Sequence, residues 1–158
     1  MKNIIPITLV LFAVVSAPVY SQTTYYVDQG KTLASDANAG TSASLPWLTL
    51  GKAFSTVSPG DTVMVAGDPN PSSPIAVYNC SGQNGFNIIT PGTAASWITY
   101  RAYPGHTVIV KGDSANGYGI ALDNASYHHF DGFIIQNFDK ATEGSAAKTD
   151  ITIENCEF

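Results

Sequence analysis

Basic residues, cysteines and long apolar runs are all scarce in this sequence. The 158 residues include only 7 Lys and Arg against 12 Asp and Glu, which gives a formal net charge of −5. A chain without a basic stripe has no electrostatic footprint for nucleic acid, so we expect no nucleic-acid partner. No apolar run reaches the roughly 20 residues that a membrane-spanning helix needs.

The N-terminal segment has the composition of an export signal. Lys2 precedes a short apolar run from Ile4 to Val15, and the small residues Val19 and Ser21 stand at −3 and −1 of a cut before Gln22. The sequence therefore predicts a signal peptide over residues 1–21 and one domain over residues 22–158. We expect a secreted protein, extracellular, periplasmic or at the cell surface, with no membrane contact after cleavage.

The two cysteines leave two interpretations open. Cys80 and Cys156 would be able to pair in an oxidising compartment. Cys156 lies within a strand-like run, however, and fits equally well as a small core residue. Spacing alone does not choose between a disulfide and two thiols.

A short amphipathic helix is predicted after Thr49. Thr49 is a suitable N-cap, and Pro59 and Gly60 then stop the helix and turn the chain. A lone helix before a series of short strands would be able to cover the open end of a stacked β-core. Its apolar face, at helical spacing, consists of Leu50, Ala53, Phe54 and Val57.

Short strands bounded by Gly, Pro, Asn or Asp make up most of the remaining chain. The segment 68–91 is expected to be mostly irregular because prolines interrupt it, with a possible edge strand over Ile75–Tyr78. The loop around Asp36 has many oxygen-bearing side chains, but turn formation explains them better than calcium binding. The predicted strands are Tyr25–Asp28, Thr62–Ala66, Trp97–Arg101, Thr107–Val110, Gly119–Leu122, His128–Ile135 and Ile151–Glu154.

A weak internal repeat indicates how these strands stack. Aligning residues 126–135 on 149–158 matches Phe130 with Ile153 and Asp131 with Glu154. A repeat of twenty-odd residues with short strands and polar corners is typical of one coil of a parallel β-solenoid. Alternation along the strands then turns His128 inward, as a core histidine without a catalytic role.

The same alternation provides the candidate site. The candidate substrate-binding residues face outward on these strands, where they would be able to line a lateral groove for sugar hydroxyls. The alternative is that they are ordinary solvated positions on an outer strand face, which is the default for polar residues. The candidates are Tyr127, His129, Asp131 and Thr152.

Several sequence blocks resemble a known family. The segments Tyr25–Val27, Asp36–Thr41, Pro46–Leu50, Pro59–Val63 and Trp97–Gly105 are similar to the N-terminal region of secreted bacterial right-handed parallel β-helix proteins. These proteins belong to the pectate-lyase-like superfamily, and the order of the blocks resembles its calcium-dependent exopolysaccharide-lyase branch.

The resemblance implies an all-β, right-handed parallel β-helix with an N-terminal capping helix, interrupted at its C-terminal end. It also implies a polysaccharide partner, a monomeric complete protein and β-elimination of a polyuronate. Calcium would be a cofactor of the complete protein, with no metal ligand or catalytic residue among these 158 residues. The alternative function is a non-catalytic β-helix domain for glycan binding or surface attachment.

Overall fold

A computed structural model describes residues 20–70, 72–113, 117–123, 126–144 and 150–158. Most of the predicted signal peptide, residues 1–19, lies outside this part of the chain. The described residues form short strands with one α-helix and one 3-10 turn, Pro74–Ala76. No helix among them is long and apolar enough to cross a membrane. The helix is α1, Leu50–Phe54, and the strands are β1 Thr24–Val27, β2 Thr62–Val65, β3 Val77–Asn79, β4 Phe86–Asn87, β5 Ile98–Ala102, β6 Val108–Lys111, β7 Tyr118–Ala121, β8 His128–Asp131, β9 Phe133–Gln136, β10 Lys140–Glu143 and β11 Ile151–Glu154.

The strands form three parallel sheets. Sheet 1 has the order β1-β2-β5-β8-β11, sheet 2 the order β3-β6-β9, and sheet 3 the order β4-β7-β10. From β2 to β11 the chain adds one strand to each sheet in turn and then returns to sheet 1. A nearly all-β chain with this topology is consistent with a parallel β-helix.

The register of β8 and β11 confirms the predicted alignment of their residues. Ile153 pairs with Phe130 and Glu154 with Asp131, 23 residues earlier. Phe130 is fully buried, whereas Ile153 is 36 % exposed. The exposure of Ile153 follows from its place in the edge strand of sheet 1, where only β8 covers it.

Helix α1 forms where the sequence predicts it but is shorter. The Thr49 side chain accepts a hydrogen bond from Lys52 N, which confirms the N-cap. The helix ends at Phe54, so Val57 is buried beyond its C-terminus and not on its face. The apolar face is nevertheless inside the core, with Leu50 5 % and Phe54 7 % exposed.

Aromatic rings join the helix to the sheets. Phe86, on β4, lies 5.8 Å from Phe54, 5.6 Å from Tyr100 and 4.9 Å from Phe133, measured between ring centroids. Tyr100 and Phe130 stack in parallel at 5.4 Å on neighbouring strands of sheet 1. Edge-to-face and offset contacts at these distances stabilise the fold beyond the contribution of the buried area. Phe86 of sheet 3 therefore packs against α1, sheet 1 and sheet 2.

The segment 68–91 is mostly irregular, as predicted, and its expected edge strand is β3, which begins at Val77 and not at Ile75. It also contains β4, the first strand of sheet 3, which was not predicted. Pro74 is accommodated because it starts the 3-10 turn, where its missing N–H costs no ladder bond. The predicted single strand His128–Ile135 is two strands, since Gly132 turns the chain with φ +83°. Strand β10 was not predicted at all.

Both cysteines are free thiols, so the disulfide interpretation is wrong for this structure. Cys156 packs against the core, and its sulfur accepts a hydrogen bond from Phe133 N at 3.5 Å. Partial burial raises the pKa of its thiol, so it stays protonated and behaves as a small core residue.

Candidate functional site

The outer face of sheet 1 carries two straight ladders of polar side chains. The register aligns one outward-facing residue of each of the five strands, and a second set lies two positions further along each strand. We call this surface the outer face. Its first ladder is Thr24, Thr62, Thr99, His129 and Thr152, and its second is Tyr26, Met64, Arg101, Asp131 and Glu154.

The structure places three of the four predicted site residues on this face. His129 and Asp131 lie on β8 with side chains 20 % and 17 % exposed, and Thr152 pairs directly with His129. Tyr127 is different, because it precedes β8 in a corner with φ 57°. Its ring contacts Trp97 edge-on at 5.9 Å, so it belongs to the corner and not to the ladders.

The Asp131 carboxylate is held by two partners, one on each oxygen. Its Oδ2 pairs with Arg101 Nε at 2.7 Å, and its Oδ1 accepts a hydrogen bond from Asn155 Nδ2 at 2.8 Å. The Asn155 amide and the Arg101 guanidinium hold the pKa of Asp131 below its usual value. Asp131 is therefore a carboxylate that positions Arg101.

Arg101 is an exposed residue of the outer face that sequence reasoning did not single out. Its side chain is 45 % exposed, and only Nε is bonded within the described part of the chain. The two terminal nitrogens are the pair that binds a carboxylate in a bidentate way. Alternation in β5 would have turned Arg101 outward, but its partner Asp131 is 30 residues away and no local signal joins them.

His129 makes a second ion-pair contact across the ladders. His129 Nε2 lies 2.7 Å from Glu154 Oε1, and the Glu154 side chain is 49 % exposed. An exposed pair of this kind contributes little to stability, at most about 1 kcal/mol. Its effect is to order the two side chains at the β11 end of the outer face.

The donor set of this cluster does not fit calcium. His129, Asp131 and Glu154 present one ligand atom each within 4.8 Å of one another. Calcium takes six to eight oxygen ligands, whereas one donor here is a nitrogen and Arg101 already neutralises Asp131. Asp36 does not supply a calcium loop either, because its carboxylate accepts hydrogen bonds from Leu48 N and from the Thr49 N and Oγ1 atoms.

A pocket of about 210 Å³ adjoins the other end of the outer face. Tyr26 and Met64 of the second ladder form part of its wall, and Asp28, Lys31, Tyr103 and His106 also line it. His106 Nδ1 is fixed 3.0 Å from the Gly67 carbonyl oxygen. Lys31 adds a cation without a side-chain partner among the residues described, at the β1 end of the second ladder, and Asp28 adds an acidic group to the same pocket.

His128 points into the core, as predicted. It is fully buried, its Nδ1 lies 2.9 Å from the Ser126 carbonyl oxygen, and it stacks on Tyr100. Nε2 makes no hydrogen bond to any described residue, although the nearby Thr90 backbone influences its pKa. Burial lowers the pKa of His128 to about 4, so the ring is neutral at pH 7 and does not face any ligand.

Comparison with known proteins supports the fold alone. No protein family model matches the sequence, and no curated protein does. Among solved structures the chain is similar to one described as a rhamnogalacturonan lyase, with a TM-score of 0.51 and 20 % sequence identity. The similarity covers 71 % of this chain but only 28 % of that one. The chain therefore has a polysaccharide-lyase-like parallel β fold and spans less than a third of its structural neighbour.

Proposed function

We propose that this chain is the N-terminal part of an exported β-helix protein that acts on an acidic polysaccharide. The observation that carries the proposal is Arg101, whose Nε is held by Asp131 while both terminal nitrogens remain at an exposed surface. These two nitrogens, which we call the fork of Arg101, would bind the carboxylate of a uronate. Threonine hydroxyls of the neighbouring ladder, such as Thr99 and Thr152, would bond the sugar hydroxyls.

The charge of the chain limits how strongly such a polymer would bind. The net charge is −5, and Asp131 and Glu154 offset the cations on the outer face. Binding then depends on the local fork of Arg101 and on Lys31 and not on a broad positive field. We therefore expect weak binding that decreases further with added salt.

The reaction we propose for the complete protein is β-elimination. A base removes the C5 proton of a uronate, the C4–O bond breaks, and the leaving oxygen takes a proton, which produces a C4=C5 double bond. No described residue is assigned here as the base, and the proposal places this chemistry on further coils of the complete protein. Calcium would be held there as well, because the residues described here do not fit it.

The proposal includes the architecture that this function needs. The three sheets would close into a right-handed solenoid, α1 would cover its front end, and further coils would add to β11. Support comes from the buried face of α1, from the exposure of Ile153 at 36 % on the edge strand β11, and from the parallel bridge between Glu157 and Ile134. The complete protein would be secreted and monomeric.

A binding measurement tests the role of Arg101. In affinity electrophoresis at low salt, polygalacturonate should retard the purified protein, and Arg101→Gln should abolish the retardation. Lys140→Gln is the matched control, because Lys140 loses the same charge at the edge of sheet 3, where it pairs with Glu143. Equal retardation of both variants, or no retardation of the parent protein, would contradict the proposal.

A non-catalytic glycan-binding domain is the second candidate. It is favoured because the acids and the histidine of the outer face are all paired with one another or with Arg101. The two functions differ in a lyase assay on polygalacturonate and rhamnogalacturonan with added calcium. The assay uses the longest gene product. An increase in absorbance from unsaturated uronate ends would support a lyase, whereas binding of the polysaccharide without this increase would support the second candidate.

A further inference from the structure

A large groove lies beside helix α1, away from the outer face. It has a volume of about 690 Å³, which is within the usual range of ligand sites. One wall is the segment Leu48–Ser55, and the other runs from Tyr78 to Ile89 through β3 and β4. Among the described strands β3 pairs only with β6 and β4 only with β7, so the groove lies along two strand edges.

The side chains that line this groove are uncharged. Among the residues that the structure describes, no Asp, Glu, Lys, Arg or His contributes to its wall. Burial raises the pKa of Cys80 to about 11 and that of Tyr78 above its usual value, so both remain neutral at pH 7. The polar wall is dominated by five carboxamides, which are Gln29, Asn79, Gln83, Asn84 and Asn87.

Two of these amides have structural roles. Gln29 Nε2 donates to the Ile75 carbonyl oxygen at 2.9 Å and to the Val77 carbonyl oxygen at 2.7 Å. Asn84 Oδ1 accepts from Tyr118 N at 3.0 Å. Because Gln29 occupies the exposed edge of β3, an added peptide strand would have to displace it.

The other three amides are uncommitted. The side chains of Asn79, Gln83 and Asn87 make no hydrogen bond to any residue that the structure describes, and all three are exposed. A carboxamide both donates and accepts, which matches the donor and acceptor pattern of a sugar hydroxyl. Ile89 and Leu48, 51 % and 41 % exposed, add apolar surface against which the C–H face of a pyranose ring can pack.

We propose that this groove binds a neutral oligosaccharide, independently of the outer face. Uncharged walls favour an uncharged ligand, since a uronate would lose hydration without gaining a cationic partner. Three free carboxamides beside two aliphatic side chains supply both kinds of contact that a pyranose makes. That the ligand is a sugar rests on the proposed function, whereas its neutrality rests on the groove alone.

The test is a titration of the purified protein, produced from the whole 158-residue sequence, with neutral tetrasaccharides. Probes of β-1,4-linked glucose, galactose, xylose and mannose should include at least one that binds in calorimetry or NMR. The double variant Gln83→Ala with Asn87→Ala should weaken that binding at least about tenfold, because each substitution removes one or two hydrogen bonds. Its melting temperature should not change, since neither side chain has a partner within the described chain.

Two controls separate this site from the outer face. Gln136→Ala removes an exposed amide from the outer side of sheet 2 and should leave binding unchanged. Arg101→Gln should also leave it unchanged, and binding should not respond to salt, whereas polygalacturonate binding by the outer face should respond to both. These controls therefore test binding in the groove independently of binding by Arg101.

Three results would overturn the proposal. The first is the absence of binding by all four probes at 10 mM or so, a concentration at which even millimolar affinity is detected. The second is binding that the double variant retains. The third is binding of an extended peptide without binding of any sugar, which would indicate that the groove accepts an added strand.

Discussion

The buried histidine of sheet 1 makes the stability of the fold depend on pH in a window that few other groups affect. His128 is fully buried, and burial lowers its pKa from 6.5 to about 4. His128 therefore takes up a proton near pH 6.5 in the unfolded chain but only near pH 4 in the folded protein. The stability contributed by neutral His128 is present above pH 6.5 and is lost as the pH falls toward 4.

The size of the effect follows from the two pKa values. A difference of about 2.5 pKa units corresponds to about 3.4 kcal/mol when the window is crossed completely. Between pH 7.5 and pH 5.0 the expected loss is about 2 kcal/mol. Carboxylates with lowered pKa values, such as Asp131 and Glu143, lose their contribution only at lower pH, so this range isolates histidine.

His128→Leu is the variant that tests this reasoning. Its ladder neighbours are Ile98 and Ile151, so an aliphatic side chain suits the position. The Ser126 carbonyl oxygen keeps a partner, because Gly92 N also donates to it at 2.9 Å, and the unbonded Nε2 is removed. We expect the variant to match the parent protein within about 1 kcal/mol at pH 7.5.

Urea unfolding at several pH values between 7.5 and 5.0 provides the measurement. The parent protein should lose about 2 kcal/mol of unfolding free energy across this range, and His128→Leu should lose far less. Thr62→Val, a substitution on the outer face that involves no titratable group, is the control and should keep the slope of the parent. A flat profile for the parent, or an unchanged slope in His128→Leu, would refute the assignment of the effect to His128.

Two further predictions concern stability alone, measured by urea unfolding at pH 7.5. Asp61→Asn should cost about 2 kcal/mol, because both buried carboxylate oxygens accept backbone N–H bonds, from Thr23 and from Ser58, and an amide places a donor against one of them. Asp68→Asn should cost less than half as much, since within the described residues only Oδ1 of Asp68 accepts a hydrogen bond; equal costs would count against the explanation. Phe54→Ala should cost about 3 to 5 kcal/mol by opening a cavity beside Phe86, whereas Leu33→Ala, at a side chain 62 % exposed, should be nearly neutral. A small effect of Phe54→Ala would mean that α1 is not part of the core.

The sequence predicts strands with a clear alternation of apolar inner and polar outer residues and misses β4 and β10. β4 has only two residues, Phe86–Asn87, which are too few for an alternation to show. β8 and β11 follow the alternation of buried and outer residues closely enough to give their register. β10, with the sequence Lys-Ala-Thr-Glu, has no apolar pattern, and it is a strand because its backbone completes the edge of β7. Backbone pairing at an edge leaves no trace in side-chain periodicity.

The repeat is visible in sequence only where the corners are short. Ile151 pairs with His128, 23 residues earlier, but His128 pairs with Ile98, 30 residues earlier, and Thr99 with Thr62, 37 residues earlier. A search with one period therefore detects the last two strands of sheet 1 and loses the first three. The contact between Arg101 and Asp131 crosses one of these unequal spacings, which is why the outer face could be predicted in part but its central ion pair could not.

The unequal spacings also explain where binding chemistry can arise in this fold. Register within each sheet is fixed by backbone pairing and buried side chains, so added residues accumulate at the corners between strands. The two longest intervals, between β1 and β2 and between β2 and β5, contain α1, β3 and β4 and supply every residue that lines the groove. The strands of sheet 1 supply the fork of Arg101 instead. A change in corner length should therefore alter the groove without disturbing the outer face, and the two candidate binding surfaces can vary separately within one fold.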